Sequence, residues 1–499
     1  MQRQLLAVAA FALLWALFWL HSQRMYDDDY GRWLNPAQDL RWGQVIGSLL
    51  RPFPPDWGFL DRPAVMLGFK LGQGLVDATS GLWFVGKAAI FSGLVVLLAM
   101  LARRLLGSVG VRGRAATIGT SVCVALFVTA EPVFASLLWL SDMEVGAQLA
   151  VVAALLLYLR ALGTEPRRME LVLLVLVAFV GFKFKATAKL IPLLLIAHLL
   201  LFERGRWRAF LPAIGLLVAA CVPWGALAET PLPPMVDYGG EREWFYWRPA
   251  NMQAVGGLLW GGGLHLNPFG EPTALPTGLA ETWAPVGLVL SLWGAWIAGK
   301  HALAGDRPSR LILVWLALLL VTLSIAPDIP GHLLGRYLFA VHLPLALLAG
   351  LAVGRAWGEL PRWLVGLALA AVLFQVVANT RHTQNRKRSQ GCQMMIADRT
   401  AERIHAEFSG RTAFFVGLPE PEFDRSRKRN TFVALDPRDN AGLARAHSMR
   451  GQALLVTDRP LTPTAPWTER HRLSADDWPH WRFVGPPLGS CARWIYEPR

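Results

Sequence analysis

The chain has 499 residues, of which 54% are hydrophobic and 17% charged, with a mean hydropathy of +0.37. Soluble domains carry roughly a quarter charged residues, so a surface this poor in charge belongs in a bilayer. Four cysteines exclude a disulfide scaffold, and 46 Gly and 33 Pro without a period exclude a collagen-like chain.

Apolar stretches approaching the ~20 residues that cross a ~30 Å hydrocarbon core recur through the first three quarters of the sequence. Eleven are expected, near 5–20, 81–102, 115–130, 145–159, 171–184, 188–202, 209–227, 284–299, 311–326, 337–354 and 363–379. The fifth and sixth are short, with a lysine-containing break between them. A cleaved signal peptide is the other reading of residues 1–20, but that stretch lacks a small-residue cleavage site and runs into acidic residues.

The net charge of +14 raises the question of nucleic acid, and the positions of the charges answer it. Arg103, Arg104, Arg112 and Arg114 fall in one short loop. Arg160, Arg167 and Arg168, then Arg204, Arg206 and Arg208, then Lys300, Arg307 and Arg310, and finally Arg355 and Arg362 occupy every second loop after it. Arg and Lys are retained on the cytoplasmic side, so this alternation puts the N-terminus inside and the C-terminus outside.

Two segments between spans, 21–80 and 228–283, are then outer loops long enough to carry function. After Asn379 the composition changes: residues 380–499 hold 20 Arg/Lys against 13 Asp/Glu and read as a separate soluble domain on the outer face. Within it, 393–409 reads as a helix ended by Gly410, and Thr412–Val416, Thr431–Leu435 and Ala453–Thr457 as short strands, giving a small α/β domain. Cys392 and Cys491 would face an oxidising compartment, where either a disulfide or two free thiols is open.

The most informative local feature is Tyr26-Asp27-Asp28-Asp29-Tyr30-Gly31-Arg32, just beyond the first span. Adjacent carboxylates repel one another, so near a low-dielectric boundary at least one is expected to hold its proton more tightly unless a cation compensates. Such a carboxylate suits general-base chemistry toward a hydroxyl; an acidic flank to the span is the alternative. Arg62-Pro63, Asp142, Glu144, Lys183, Lys185, Lys189 and Arg336-Tyr337 gather at the same face by this topology. Ionisable residues at a bilayer boundary mark a site by default, although lysines also snorkel. Lys185 and Arg336 together could hold a lipid-linked phosphate or diphosphate.

An N-in, many-span chain with an Asp-Asp-Tyr outer loop, a later Arg-Pro, a Lys-x-Thr-Ala stretch in mid-bundle and an Arg-Tyr-Leu near the end resembles the GT-C superfamily of membrane glycosyltransferases. That superfamily includes protein O-mannosyltransferases, the aminoarabinose transferase of lipid A and O-antigen-modifying glucosyltransferases. The resemblance covers residues 1 to about 380 and implies an all-α polytopic bundle (1–379) as catalytic domain, with residues 380–499 as an extracytoplasmic addition. It also implies a bacterial inner membrane, with the tail in the periplasm.

By the same resemblance Asp28 is the first choice for catalytic base, Asp29 orients or shares the proton, and Asp27 is the alternative register. Lys185, Arg336, Arg62, Lys183 and Tyr337 would hold the donor phosphate. A Lys-Glu pair in similar enzymes is Lys185-Ala186 here, so an acidic role must come from elsewhere; Asp142 or Glu144 is the candidate second acid.

The implied reaction is inverting transfer of a sugar from a polyprenyl phosphate to a glycan, lipid or protein acceptor, since no nucleotide-binding glycine pattern opens a strand-to-helix turn. No cofactor is expected and no nucleic acid; three aspartates could bind Mg²⁺ or Mn²⁺ through oxygen. A transporter or flippase, and a non-catalytic scaffold of envelope polysaccharide assembly, are the alternatives.

Overall fold

The computed structural model describes residues 2–20, 34–50, 63–73, 75, 82–138, 143–163, 168–221, 285–325, 334–386, 392–416, 418, 430–462, 466–474 and 492–498. The chain divides into two compact units, one of residues 1–21, 40–68 and 82–382, the other of residues 22–39, 69–81 and 383–499.

Every apolar stretch read from the sequence is a helix. These are α1 (Gln2–Leu20), α5 (Trp83–Ser108), α6 (Gly113–Thr129), α8 (Glu144–Gly163), α9 (Arg168–Phe184), α10 (Leu190–Phe202), α11 (Trp207–Cys221), α12 (Pro285–Leu303), α13 (Arg307–Ile325), α14 (Leu334–Glu359) and α15 (Arg362–Arg386). Between them lie α3 (Trp42–Leu50), where the sequence around Leu40 to Leu50 has an amphipathic pattern, and three short helices the sequence did not announce, α2 (Asn35–Asp39), α4 (Pro63–Gly72) and α7 (Glu131–Leu138).

Among the described residues six helices are long and apolar enough to cross a membrane. Large side chains such as Leu6, Leu14, Leu176, Leu292 and Leu373 stand exposed on the bundle helices. Helices this apolar with outward-facing leucines need lipid around them, and the chain is a multi-pass membrane protein. The expected break between the fifth and sixth stretches is a full interruption: α9 stops at Phe184, Lys185 is extended, and a 3₁₀ turn (Ala186–Lys189) leads into α10.

Helix α14 packs against α5, α6, α12 and α13. Lipid tails are as apolar as leucine, so close backbone approach, rather than apolar burial, holds such helices together. Here it is made by Gly119 on α6 and Gly350 on α14: a Cβ added to either would stand 2.5 Å from the other's backbone oxygen. Gly350→Val is therefore expected to cost about 1–3 kcal/mol through overpacking, read as a lower unfolding midpoint in detergent.

The arginines of the basic loops have a local job. Arg104 donates to Leu159 O (2.8 Å), Arg206 and Arg307 both donate to Leu162 O (2.7 Å each), Arg310 to Ala302 O (2.7 Å) and Arg355 to Val109 O (2.9 Å). These are carbonyls at or just beyond the C-terminal ends of α8, α12 and α5, which lack helical partners and carry the negative end of the helix dipole. The arginines of these loops thus cap helix ends at one end of the bundle.

In the second unit Lys70 donates to Ala37 O of α2 (2.8 Å). The tail holds α16 (Cys392–Glu407), β1 (Thr412–Val416), β2 (Thr431–Leu435), α17 (Asn440–Ser448), β3 (Ala453–Thr457), β4 (Trp467–Ser474) and β5 (Ala492–Pro498). The sheet order is β2-β1-β3-β5-β4, with β1 parallel to both β2 and β3 and β5 antiparallel to both β3 and β4.

The alternation of side chains gives two cores. Ala413, Phe415, Leu454 and Val456 meet Ile404 and Phe408 of the α16 region, while Phe414, Ala453 and Leu455 meet Ala446 of α17. Cys491 and the side chain of Cys392 lie outside the described residues.

Glu497 on β5 is bonded to Arg470 (2.6 Å) and to Arg411. Burial alone would raise its carboxyl, but the hydrogen bonds from the two guanidiniums hold it below the usual carboxylate range. A depressed folded pKa gives stability that is present above the unfolded value of about 4.3 and is lost as pH falls through the folded one. In hydrogen–deuterium exchange corrected for intrinsic rates, β5 of the wild type is expected to lose protection through that acid range, and Glu497→Gln to lack this component.

Candidate functional site

The acidic and basic residues singled out in the sequence divide into those the structure describes and those it does not. Asp27, Asp28, Asp29, Arg62 and Asp142 lie outside the described residues. Arg336 and Tyr337 belong to the first turn of α14, and their side chains are also outside. Glu144, Lys183 and Lys185 are described, and all three are buried.

Helices α8 and α9 run side by side and are brought close by glycine. A Cβ on Gly181 would stand 2.6 Å from that of Ala150, and one on Gly146 would stand 2.8 Å from the Phe184 ring. This approach sets the first residue of α8 against the residue that follows α9. Lys185 Nζ lies 2.9 Å from Glu144 Oε2, with the Glu144 side chain wholly buried and that of Lys185 10% exposed. One turn along α8, Gln148 Nε2 donates to Glu144 Oε1 at 2.7 Å. A carboxylate in the first turn of a helix is favoured by the positive end of the dipole, and an ammonium just beyond a C-terminus by the negative end.

Further cations lie at the same end of the bundle. Lys183, in the last turn of α9, donates to Ser48 O of α3 (3.3 Å) and stands 4.7 Å above the Phe179 ring. Lys87, in the first turns of α5 and 1% exposed, donates to Ser136 O of α7. Lys189 closes the 3₁₀ turn. Around these charges Gln148 Oε1, Thr187 Oγ1 and Ser136 Oγ are buried without a hydrogen-bond partner among the described residues. Buried polar groups left unpaired are uncommon and call for a reason such as water, an ion or a ligand.

The structure therefore joins two residues that the sequence singled out for separate roles, Lys185 as a phosphate ligand and Glu144 as a second acid. Glu144, 41 positions before Lys185, gives that lysine a carboxylate partner that its neighbour Ala186 does not. Gln148 and Lys87 were not singled out in the sequence. Lys87 had a legible signal, a lysine a few residues into an apolar span; Gln148 had a weaker one, an amide four residues after an acid.

Among the described residues no group of three or more His, Cys, Asp or Glu could hold a metal ion. A desolvated Lys–Glu pair beside other buried ammonium groups can bind an anion, orient it, and neutralise charge that develops on it.

No protein-family model matches the chain, and no curated protein matches it. Among solved structures it is similar to a single-particle cryo-EM structure of the arabinofuranosyltransferase AftD from Mycobacteria, with 14% sequence identity and a TM-score of 0.45. The match covers 100% of this chain and 41% of that one, so the chain spans less than half the length of that structure. The site that the described residues present is the buried Lys185–Glu144 pair, with Lys183 and Lys87 also buried at the end of the bundle opposite its arginine-capped helix ends.

Proposed function

We propose that the chain is a membrane glycosyltransferase of the GT-C type, moving a sugar from a polyprenyl-phosphate donor to a glycan, lipid or protein acceptor outside the cytoplasm. The observation that carries this reading is the buried Lys185–Glu144 pair in the interruption after α9, with Lys183 and Lys87 buried nearby. Desolvating several ammonium groups is costly, so their collection at one end of a bundle points to an anionic ligand rather than to stability. The arginine-capped end is the cytoplasmic one in this reading. The cation cluster then opens to the exterior, away from the cytoplasmic nucleotide-sugar pool, and a lipid-linked phosphate is the anion available there.

In the proposed reaction Asp28 accepts the proton of the acceptor hydroxyl while that oxygen attacks the anomeric carbon. The bond from that carbon to the phosphate oxygen breaks, and polyprenyl phosphate leaves with its charge met by Lys185, Lys183, Arg336 and Arg62. Asp29 orients Asp28 or shares its proton. Glu144 orients Lys185, so that the ammonium reaches the phosphate from a fixed position. A single displacement inverts the anomeric configuration.

The test is donor discrimination by purified protein in nanodiscs given an envelope extract as acceptor. Radiolabel is expected to leave polyprenyl-phosphate sugars and not nucleotide sugars; release from nucleotide sugars, or movement of intact donor without cleavage, would overturn the reading.

A further inference from the structure

A recess open on one side lies in the first unit among α6, α12, α14 and α15, and none of its described lining residues belongs to the lysine cluster. Its wall combines Leu126 and other apolar groups with Ser291, His342, Gln375 and Asn379, and among the described residues no Asp, Glu, Lys or Arg lines it.

The polar groups are arranged so that some hydrogen-bonding capacity is used and some is left over. Gly287 N, at the start of α12, donates to Gln375 Oε1 at 2.6 Å, which satisfies an amide that the helix cannot and turns Gln375 Nε2 elsewhere. A side chain at 287 would crowd this amide, since an added Cβ would stand 3.1 Å from Nε2. Ser291 Oγ is engaged with Gly287 O and Leu345 O (2.7 and 2.8 Å). His342 Nδ1 is 2.7 Å from Leu338 O; a carbonyl only accepts, so Nδ1 carries the proton and in the uncharged ring Nε2 is an acceptor.

Asn379 is 6% exposed and its amide makes no hydrogen bond among the described residues. Burying an unpaired amide is costly, and an apolar residue would fit a membrane helix better.

We propose that this recess is a ligand site for an uncharged, hydroxyl-bearing head group, a sugar ring or a glycerol-like polyol. A hydroxyl both donates and accepts. It is therefore matched by the donors Gln375 Nε2 and Asn379 Nδ2 together with the acceptors His342 Nε2 and Asn379 Oδ1, whereas a phosphate or carboxylate would find no countercharge among the described residues. The apolar walls suit the carbon face of a sugar or the first methylenes of a lipid carrying one. The proposal stands independently of the transfer reaction.

The experiment uses the full chain in phosphatidylcholine nanodiscs with tritiated octyl β-glucoside below its micellar concentration, competed by glucose or by octyl sulfate. Saturable binding is expected, weakened about tenfold in Asn379→Leu and in Gln375→Leu, as loss of one hydrogen bond to a neutral ligand implies. The thermal midpoint of Asn379→Leu is expected not to fall, because the amide bonds to nothing among the described residues. Competition by glucose identifies a soluble sugar as the source, and competition by the glycoside alone a lipid-borne one; both support the site. Binding unchanged in both variants, octyl sulfate competing as well as the neutral glycoside, or a fall in the Asn379→Leu midpoint would overturn it.

Discussion

Glu144→Ala is expected to destabilise the bundle by about 3–5 kcal/mol, because it leaves the Lys185 ammonium buried with its carboxylate gone. The penalty comes from the partner left behind more than from the bond lost, so the Glu144→Ala/Lys185→Met double variant should recover most of it. The buried ammonium is replaced there by an apolar side chain of similar reach. Unfolding in detergent across the four proteins of this cycle measures the coupling. The functional reading adds a second expectation. The recovered double variant should stay inactive in sugar transfer, whereas a purely structural pair would let activity return with stability.

Asp28→Asn is expected to lower the rate of label transfer by about 10²–10⁴-fold, the range that a positioned general base contributes, without changing the unfolding midpoint. An amide keeps the shape and a hydrogen-bonding oxygen but cannot take the proton. Asp29→Asn should cost less, since it leaves the base in place. A large loss in Asp27→Asn instead would shift the register of the motif by one residue and keep the chemistry. Equal, small effects at all three positions would assign the aspartates to the flank of the first span.

The bundle was legible because membrane helices announce themselves one at a time: each needs its own apolar run, and α1, α5, α6 and α8 to α15 follow those runs. What the runs do not encode is rotation about each helix axis. Glu144 and Lys185 were each conspicuous as charges at the edge of an apolar stretch, yet their meeting depends on which face α8 turns to α9, and that is decided by Gly146 and Gly181. Asn379 and Gln375 read as ordinary polar residues near the end of a span for the same reason; only the packing of four helices shows them lining a recess.

In the tail, β1, β2 and β3 were readable as short apolar runs. Strand β4, with Thr-Glu-Arg-His-Arg at its centre, has no apolar alternation to betray it. It is a strand because it pairs along β5 from Trp467↔Pro498 to Ser474↔Ala492, and charged side chains on a sheet edge discourage pairing with other chains. The short helix α3 was visible as an amphipathic pattern, but that its Ser48 carbonyl receives Lys183 was not.

The sharpest measurement is proximity between the acidic segment and the lysine cluster. With the four native cysteines replaced, Asp28→Cys paired with Lys183→Cys should be joined by a short bifunctional thiol reagent, and polyprenyl phosphate should protect the pair. Asp28→Cys paired with Arg104→Cys, at the arginine-capped end, should not be joined. Failure of the first pair to cross-link in folded protein, or equal cross-linking of both, would contradict a proton acceptor and a phosphate cradle sharing one pocket.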